Sequence, residues 1–233
     1  MISMSSRNLS TAHAINMIKK SRAIVFDIDH TVASFDGVQT LAKMTNKLNE
    51  VYTLMMDIVV KRNVLEDYLI QSLDVIKPNH DLIEKYINET PVDLAPGVED
   101  LISKLRKMNK DIYLVSGGFK QLQTPISAKL NVADDFLFDN IMQFDEKGNY
   151  KNLDLTQPTM NIKGKARVVE IIKSRYPKDD NIVVNFGDGI LDSEACPPSD
   201  CFIRYTKFNN RPLPKDNSTI SIDDFNEIIK LLD

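Results

Sequence analysis

Three short runs constrain the fold more than anything else in this chain: residues 22–27 (RAIVFD), 111–116 (DIYLVS) and 181–187 (NIVVNFG). Each is apolar on successive positions rather than on alternate ones, and each carries β-branched residues. A strand of that kind must be covered on both faces, which is the environment of a central strand in a parallel sheet. Amphipathic helical patterns lie between the runs, at 97–108 (GVEDLISKLRKM), 121–130 and 165–175. Strand, helix, strand in this order predicts a doubly wound α/β core with right-handed crossovers.

Residues 35–89 break that rhythm. They are strand-poor and read as two or three helices (VQTLAKMTNKLNEVYTLMMDIVVKR, then NVLEDYLIQSLDVI). Helices inserted directly after the first strand are expected to cap the sheet's C-terminal edge, which divides the chain into a core of 1–34 and 90–233 and a cap of 35–89. Residues 141–155 (IMQFDEKGNYKNLDL) place a polar Gly-Asn turn between alternating runs and predict a small hairpin. A last strand near 201–205 and a helix at 223–232 complete the expected core.

A chain of 233 residues is long enough to bury such a core. Its formal net charge of -4 argues against a nucleic-acid partner, because affinity for a phosphate backbone rests on clustered Lys and Arg. No apolar run reaches the roughly 18 residues that a membrane span needs, and MISMSSRNLS lacks the apolar centre of a signal peptide. A cytoplasmic protein with no membrane partner is the expectation. Cys196 and Cys201 are too few for a disulfide scaffold, and their CPPSDC spacing has no His or second Cys pair to complete a zinc site; they read as packed thiols.

The chemical signals gather where each of the three strands ends, which is where open α/β sheets form their ligand crevice. Asp27-Ile28-Asp29-His30-Thr31 follows the first strand, Ser116-Gly117-Gly118 the second, and Gly187-Asp188-Gly189-Ile190-Leu191-Asp192 the third. Four carboxylates in one crevice repel one another unless a divalent cation sits among them. Oxygen donors without His or Cys point to Mg²⁺. Mg²⁺ is commonly shared with substrate phosphate, so a small phosphorylated metabolite is the expected partner. Ser116 with the Gly117 and Gly118 backbone can offer a hydroxyl and amides to phosphoryl oxygens. Lys163 or Lys165 can neutralise a further oxygen. Taken singly, each feature has a plainer reading: an Asp pair caps a turn, Gly187–Gly189 is a tight turn, a lysine at a helix start is solvated. DIDHTV is no calcium loop, because Thr31, Val32 and Val38 occupy positions that need an oxygen ligand, a glycine and a glutamate.

Together, VFDIDHTV, VSGGF, KGK and FGDGILD resemble the four motifs of the haloacid dehalogenase superfamily of phosphatases. APGVEDLISKLR, LTQPT and EACPPSD are similar to stretches of its phosphoserine phosphatase branch. The resemblance implies that Asp27 is a nucleophile forming an aspartyl-phosphate, and that Asp29 is the general acid and then base. It implies that Asp27, the Asp29 backbone carbonyl and Asp188 hold Mg²⁺, with Asp192 a further ligand or the support of one. Ser116, the Gly117 amide and a lysine would stabilise the phosphoryl group. Lys163 is preferred to Lys165 on the resemblance, because the family's lysine commonly precedes a glycine. A missing nucleophile, acid or ligand would mark a silent binding module, and none is missing.

The cap departs from that branch. Asp36 stands where an acidic residue meets the substrate amino group, but Ser72 stands where an arginine meets the carboxylate. Val59-Val60-Lys61 replaces a Met-Gly-Gly turn, and Lys61 or Arg62 is the candidate to compensate. A hydroxyl lacks the charged fork of a guanidinium. Phosphoserine is therefore the leading named substrate, with another small phosphomonoester, or transfer to an acceptor other than water, as the alternative.

Overall fold

A computed structural model describes residues 4–61, 65–160 and 163–233. The chain opens with helix α1 (Met4–Lys20) and enters the sheet through β1 (Ala23–Phe26). Four helices follow: α2 (Gly37–Met44), α3 (Leu48–Lys61), α4 (Leu65–Ile76) and α5 (His80–Glu89). The core resumes with α6 (Val98–Lys107), β2 (Asp111–Phe119), α7 (Lys120–Lys129) and β3 (Leu137–Asn140). A hairpin of β4 (Met142–Phe144) and β5 (Tyr150–Leu153) comes next, then α8 (Gly164–Ser174), β6 (Val183–Gly187), the one-turn α9 (Ile190–Glu194), β7 (Cys201–Tyr205), β8 (Ile220–Ile222) and α10 (Phe225–Leu232).

The main sheet has the order β3-β2-β1-β6-β7-β8, with every pair parallel. All four residues of β1 are buried, as a run apolar on successive positions requires. Because side chains alternate along a strand, Ile24 and Phe26 enter one layer and Ala23 and Val25 the other. The first layer joins them to Ile18 of α1, Leu101 and Leu105 of α6, Ile126 of α7 and Phe225 and Ile228 of α10. The second packs them on Val168, Val169 and Ile172 of α8. Phe26 stacks on Phe186 across the β1–β6 pair at 4.8 Å between ring centroids. Each such fully buried ring contributes about 1.5–3 kcal/mol.

A further apolar cluster lies outside the sheet. It joins Val38, Leu41 and Ala42 of α2, Val51 of α3, Tyr68, Leu69 and Leu73 of α4, and Ile83 and Tyr86 of α5 to Phe119, Leu122 of α7, Met142 and Leu153. The inserted helices therefore share a core with α7 and the hairpin. Asp36 starts α2 by accepting the Gln39 amide at 2.8 Å, and Asn79 starts α5 by accepting that of Leu82 at 2.8 Å.

The three signal strands, the hairpin, the last strand and the helices α6, α7, α8 and α10 fall where the sequence places them. Among the described residues the insert holds four helices rather than two or three: the single long pattern at 38–62 divides between Met44 and Leu48, where Asn46 adopts a positive φ of 57°, and α5 lies beyond the second pattern. β2 runs on to Phe119 instead of stopping at Ser116, so Ser116, Gly117 and Gly118 lie within an irregular strand end whose pairing with β3 shifts between Val115 and Phe119. α1, β3 and β8 carry no pattern strong enough to be read beforehand. No described helix is long and apolar enough to cross a membrane. Cys196 is half-buried, Cys201 is buried, and both are free; burial pushes both thiols up.

Candidate active site

The register of the sheet assembles the site. Phe26 of β1 is level with Leu114 of β2 and Phe186 of β6, so the residues just beyond all three converge at one edge. The Asp27 amide still donates to the Phe186 carbonyl at 2.9 Å. Asp188 leaves the end of β6, and Asp192 turns back from α9 to accept the Gly189 amide at 3.1 Å. That return brings Asp192 so close to the strand that a Cβ on Gly187 would lie 2.1 Å from its carboxyl carbon, which excludes any other residue there.

Asp27, Asp188 and Asp192 are all buried, and each offers a carboxylate oxygen within 4.8 Å of the other two. Lys165, in the first turn of α8, puts its ammonium between two of them, pairing with Asp27 and bonding Asp192 at 2.7 Å. Burial works against that charge, but Asp192 and Asp27 outweigh it and hold the Lys165 pKa above its ordinary value. Burial, opposed by Lys165 and reinforced by Asp188 and Asp29, pushes Asp27 up to about 6. Burial and then Asp192 raise Asp188. A set of buried oxygens that already draws a cation to itself fits a hard divalent ion such as Mg²⁺.

Asp29 faces a different set. Its carboxylate accepts the Gly37 amide at 3.0 Å, the Ser116 hydroxyl at 3.0 Å and the Gln123 side-chain amide at 2.9 Å. Burial, then the charge of Asp36, pushes it up to about 6. A carboxyl that holds its proton near neutrality can give it to a leaving oxygen. Gln123 bonds Ser116 as well, at 2.6 Å, and a Cβ on Gly118 would lie 2.3 Å from its amide nitrogen. The Gly118 amide is turned to the Ser116 hydroxyl at 2.9 Å, an internal partner rather than the phosphoryl contact read from the sequence. Asn140 holds the Gly117 carbonyl at 2.8 Å.

Asp36 is raised by burial, and both its oxygens accept from Gln39, so its first task is to start α2. Of the two candidate lysines, Lys163 is the exposed residue that precedes α8, with a φ of 60°, whereas Lys165, two residues on, reaches Asp27. A left-handed backbone at 163 turns the chain into the helix and leaves the next side chain but one aimed at the sheet edge. The side chains of Val59, Val60 and Lys61, and all of Arg62, lie outside what the structure describes.

Sequence reasoning left out several partners. Thr31 donates to Asp27 at 2.9 Å, and its place in DIDHT was the available signal. Gln123 has no motif around it. Asn209, from a segment with no pattern of its own, donates to Asp188 at 2.6 Å, and the buried Arg204 of β7 donates to the Asp188 carbonyl at 3.3 Å.

A parallel doubly wound sheet with buried carboxylates, a lysine and a serine at its C-terminal edge, where the strand order reverses, has the make-up of a site for phosphoryl chemistry. Residues 21–197 match the model of the haloacid dehalogenase-like hydrolase family, and the chain belongs to that family as a phosphoric monoester hydrolase. It is 32% identical to a protein of Bos taurus named phosphoserine phosphatase, over 94% of this chain and 96% of that one. It is 34% identical to the Rattus norvegicus protein of the same name, over 89% and 91%. A solved structure described as a phospho-aspartyl intermediate analogue of phosphoserine phosphatase shares the fold, with a TM-score of 0.76 at 22% identity over 92% of this chain and 100% of that one.

Proposed function

We propose that this protein hydrolyses a small phosphomonoester in two steps, with Asp27 as nucleophile. An Asp27 oxygen attacks phosphorus, the bond from phosphorus to the alcohol oxygen breaks, and Asp29 gives its proton to that oxygen. Asp29 then takes a proton from a water that attacks the aspartyl-phosphate, releasing inorganic phosphate and restoring the Asp27 carboxylate. Ser116 and Lys165 hold the phosphoryl oxygens, and Thr31 and Lys165 fix the Asp27 carboxylate between them. Asp27 and Asp188 would hold Mg²⁺, with Asp192 a further ligand or the group that places Lys165. When bound, the ion supplies positive charge to the phosphoryl oxygens and relieves repulsion among the carboxylates.

The observation that carries this reading is the meeting of three buried carboxylates from two strand ends within 4.8 Å, with Lys165 paired to the first of them. Asp27→Asn keeps the shape and removes the nucleophile. Mg²⁺-dependent release of phosphate should fall below detection in that variant, and undiminished turnover would remove Asp27 from its role.

O-phosphoserine is the reference substrate that similarity nominates, through the names of the relatives. A small phosphomonoester of another kind is the second reading, favoured by a buried hydroxyl at Ser72 in the insert. Residues 35–89 act in either case as a cap that closes over the leaving alcohol, shutting out bulk water in the first step.

A further inference from the structure

Gln123 stands in the first turn of α7, the helix that begins where β2 ends. Its helix neighbours fix it from two sides, because Leu122 packs in the cluster of the insert and Ile126 in the first layer of the sheet. The side chain between them is 1% exposed and reaches the sheet edge.

A primary amide has two protons to donate and one oxygen with which to accept. The Gln123 nitrogen donates to the Asp29 carboxylate at 2.9 Å and to the Ser116 hydroxyl at 2.6 Å. Its oxygen is buried and has no partner among the described residues. An unsatisfied buried carbonyl destabilises a fold, and a leucine or methionine of similar size would not carry that cost. What the amide contributes therefore lies on its nitrogen. Gly118 supports this reading. Its φ is not positive, so its backbone has no need of glycine, yet a Cβ there would lie 2.3 Å from the Gln123 nitrogen and 3.0 Å from an Asp29 oxygen. The missing side chain is what lets the amide approach.

The Ser116 hydroxyl accepts from the Gly118 amide and from Gln123, and it donates to Asp29 at 3.0 Å. If that one proton turns to a phosphoryl oxygen, Asp29 keeps the Gly37 amide on one oxygen and Gln123 on the other. Without Gln123, the second oxygen would lose its last donor among the described residues and the carboxyl would be free to swing.

We propose that Gln123 is a positioning residue for proton transfer, holding Asp29 toward the leaving oxygen after Ser116 has turned to the phosphoryl group. The proposal rests on the reading of Asp29 as general acid and adds the group that aims it.

Gln123→Met and Gln123→Leu fill the space without a donor, and Tm shows that each keeps the fold. With Mg²⁺ and the full chain, kcat/KM is measured for two esters. One is 4-nitrophenyl phosphate, whose phenolate leaves without a proton. The other is whichever of O-phosphoserine and glycerol phosphate the parent turns over faster, since an alkoxide needs a proton to leave. Because kcat/KM covers only the steps up to departure of the alcohol, the later work of Asp29 as base does not enter. In both variants the alkyl ester should lose about tenfold or more and 4-nitrophenyl phosphate less than about threefold, the scale of a misplaced catalytic group. An equal loss on both esters, or none on either, overturns the proposal and leaves Gln123 as core packing. Asp29→Asn separates the two layers. A loss confined to the alkyl ester there, with an equal loss on both in the Gln123 variants, removes the positioning role alone. An equal loss on both esters in Asp29→Asn withdraws Asp29 as the acid, and the proposal falls with it.

Discussion

Lys165 is shared by Asp27 and Asp192, two carboxylates that follow neighbouring strands at one edge of the sheet, and removing it leaves both buried and uncompensated. Lys165→Ala is expected to lower kcat/KM by about 10²–10³, the usual scale for losing one charge stabiliser in a closed site. Lys163→Ala should stay within a few-fold, and steady-state kinetics with Mg²⁺ on the two variants decides between the lysines. Asp139 shows the opposite situation, a carboxyl on β3 buried with one oxygen unpartnered. Burial pushes it up from 3.8 to about 7. Because its folded pKa lies above its unfolded value, its stabilising effect is whole below pH 4 and is lost as pH rises through 7. That shift corresponds to about 4 kcal/mol at most. Thermal melts from pH 4 to 8 should therefore show the parent losing stability relative to Asp139→Asn as pH increases, and parallel pH profiles would refute the assignment. Asp27 and Asp29 were legible as site candidates in DIDHT once the other strand-end motifs stood in register, since an Asp pair alone caps a turn. The choice between two lysines was not, since it depends on which way a helix start points.

Among the elements, the segment from 206 to 218 matters more than its lack of pattern implies. Arg204, buried on β7, bonds the Arg211 carbonyl at 2.5 Å and Asp216 at 3.3 Å, which ties the segment down beside the site. Asn217 adds bonds to the carbonyls of Ser193 and Cys196 at 3.0 and 2.8 Å. From this anchored loop Asn209 reaches Asp188. Groups that orient a metal ligand change affinity by about 10–100-fold when removed. Asn209→Ala should weaken Mg²⁺ binding about tenfold in calorimetric titration, with a smaller effect on kcat at saturating Mg²⁺. Equal Mg²⁺ affinity in variant and parent would leave Asn209 as packing only. The strands that flank Asp27 were readable because burial on both faces imposes an apolar run. This loop was not, because its order comes from long-range polar contacts that leave no period in the sequence.

For the whole molecule, the insert and the core share one apolar cluster through α7 and the hairpin, so the closure proposed for the insert would slide over Leu122, Met142 and Leu153. Helices α2 to α5 should become more protected in hydrogen exchange when Mg²⁺ and beryllium fluoride are added together, and unaltered exchange from 37 to 89 would count against closure. The central strands β1, β2 and β6 with the helices between them, the two-sided burial of β1 and the gathering of acids at strand ends were set by the sequence itself, because periodicity and short-range spacing encode them. Tertiary structure alone decided that Lys165 meets Asp27 and that Gln123 and Asn209 join the site. Those contacts join residues far apart in the chain, and only the packing of separate elements fixes which side chains come within hydrogen-bond reach.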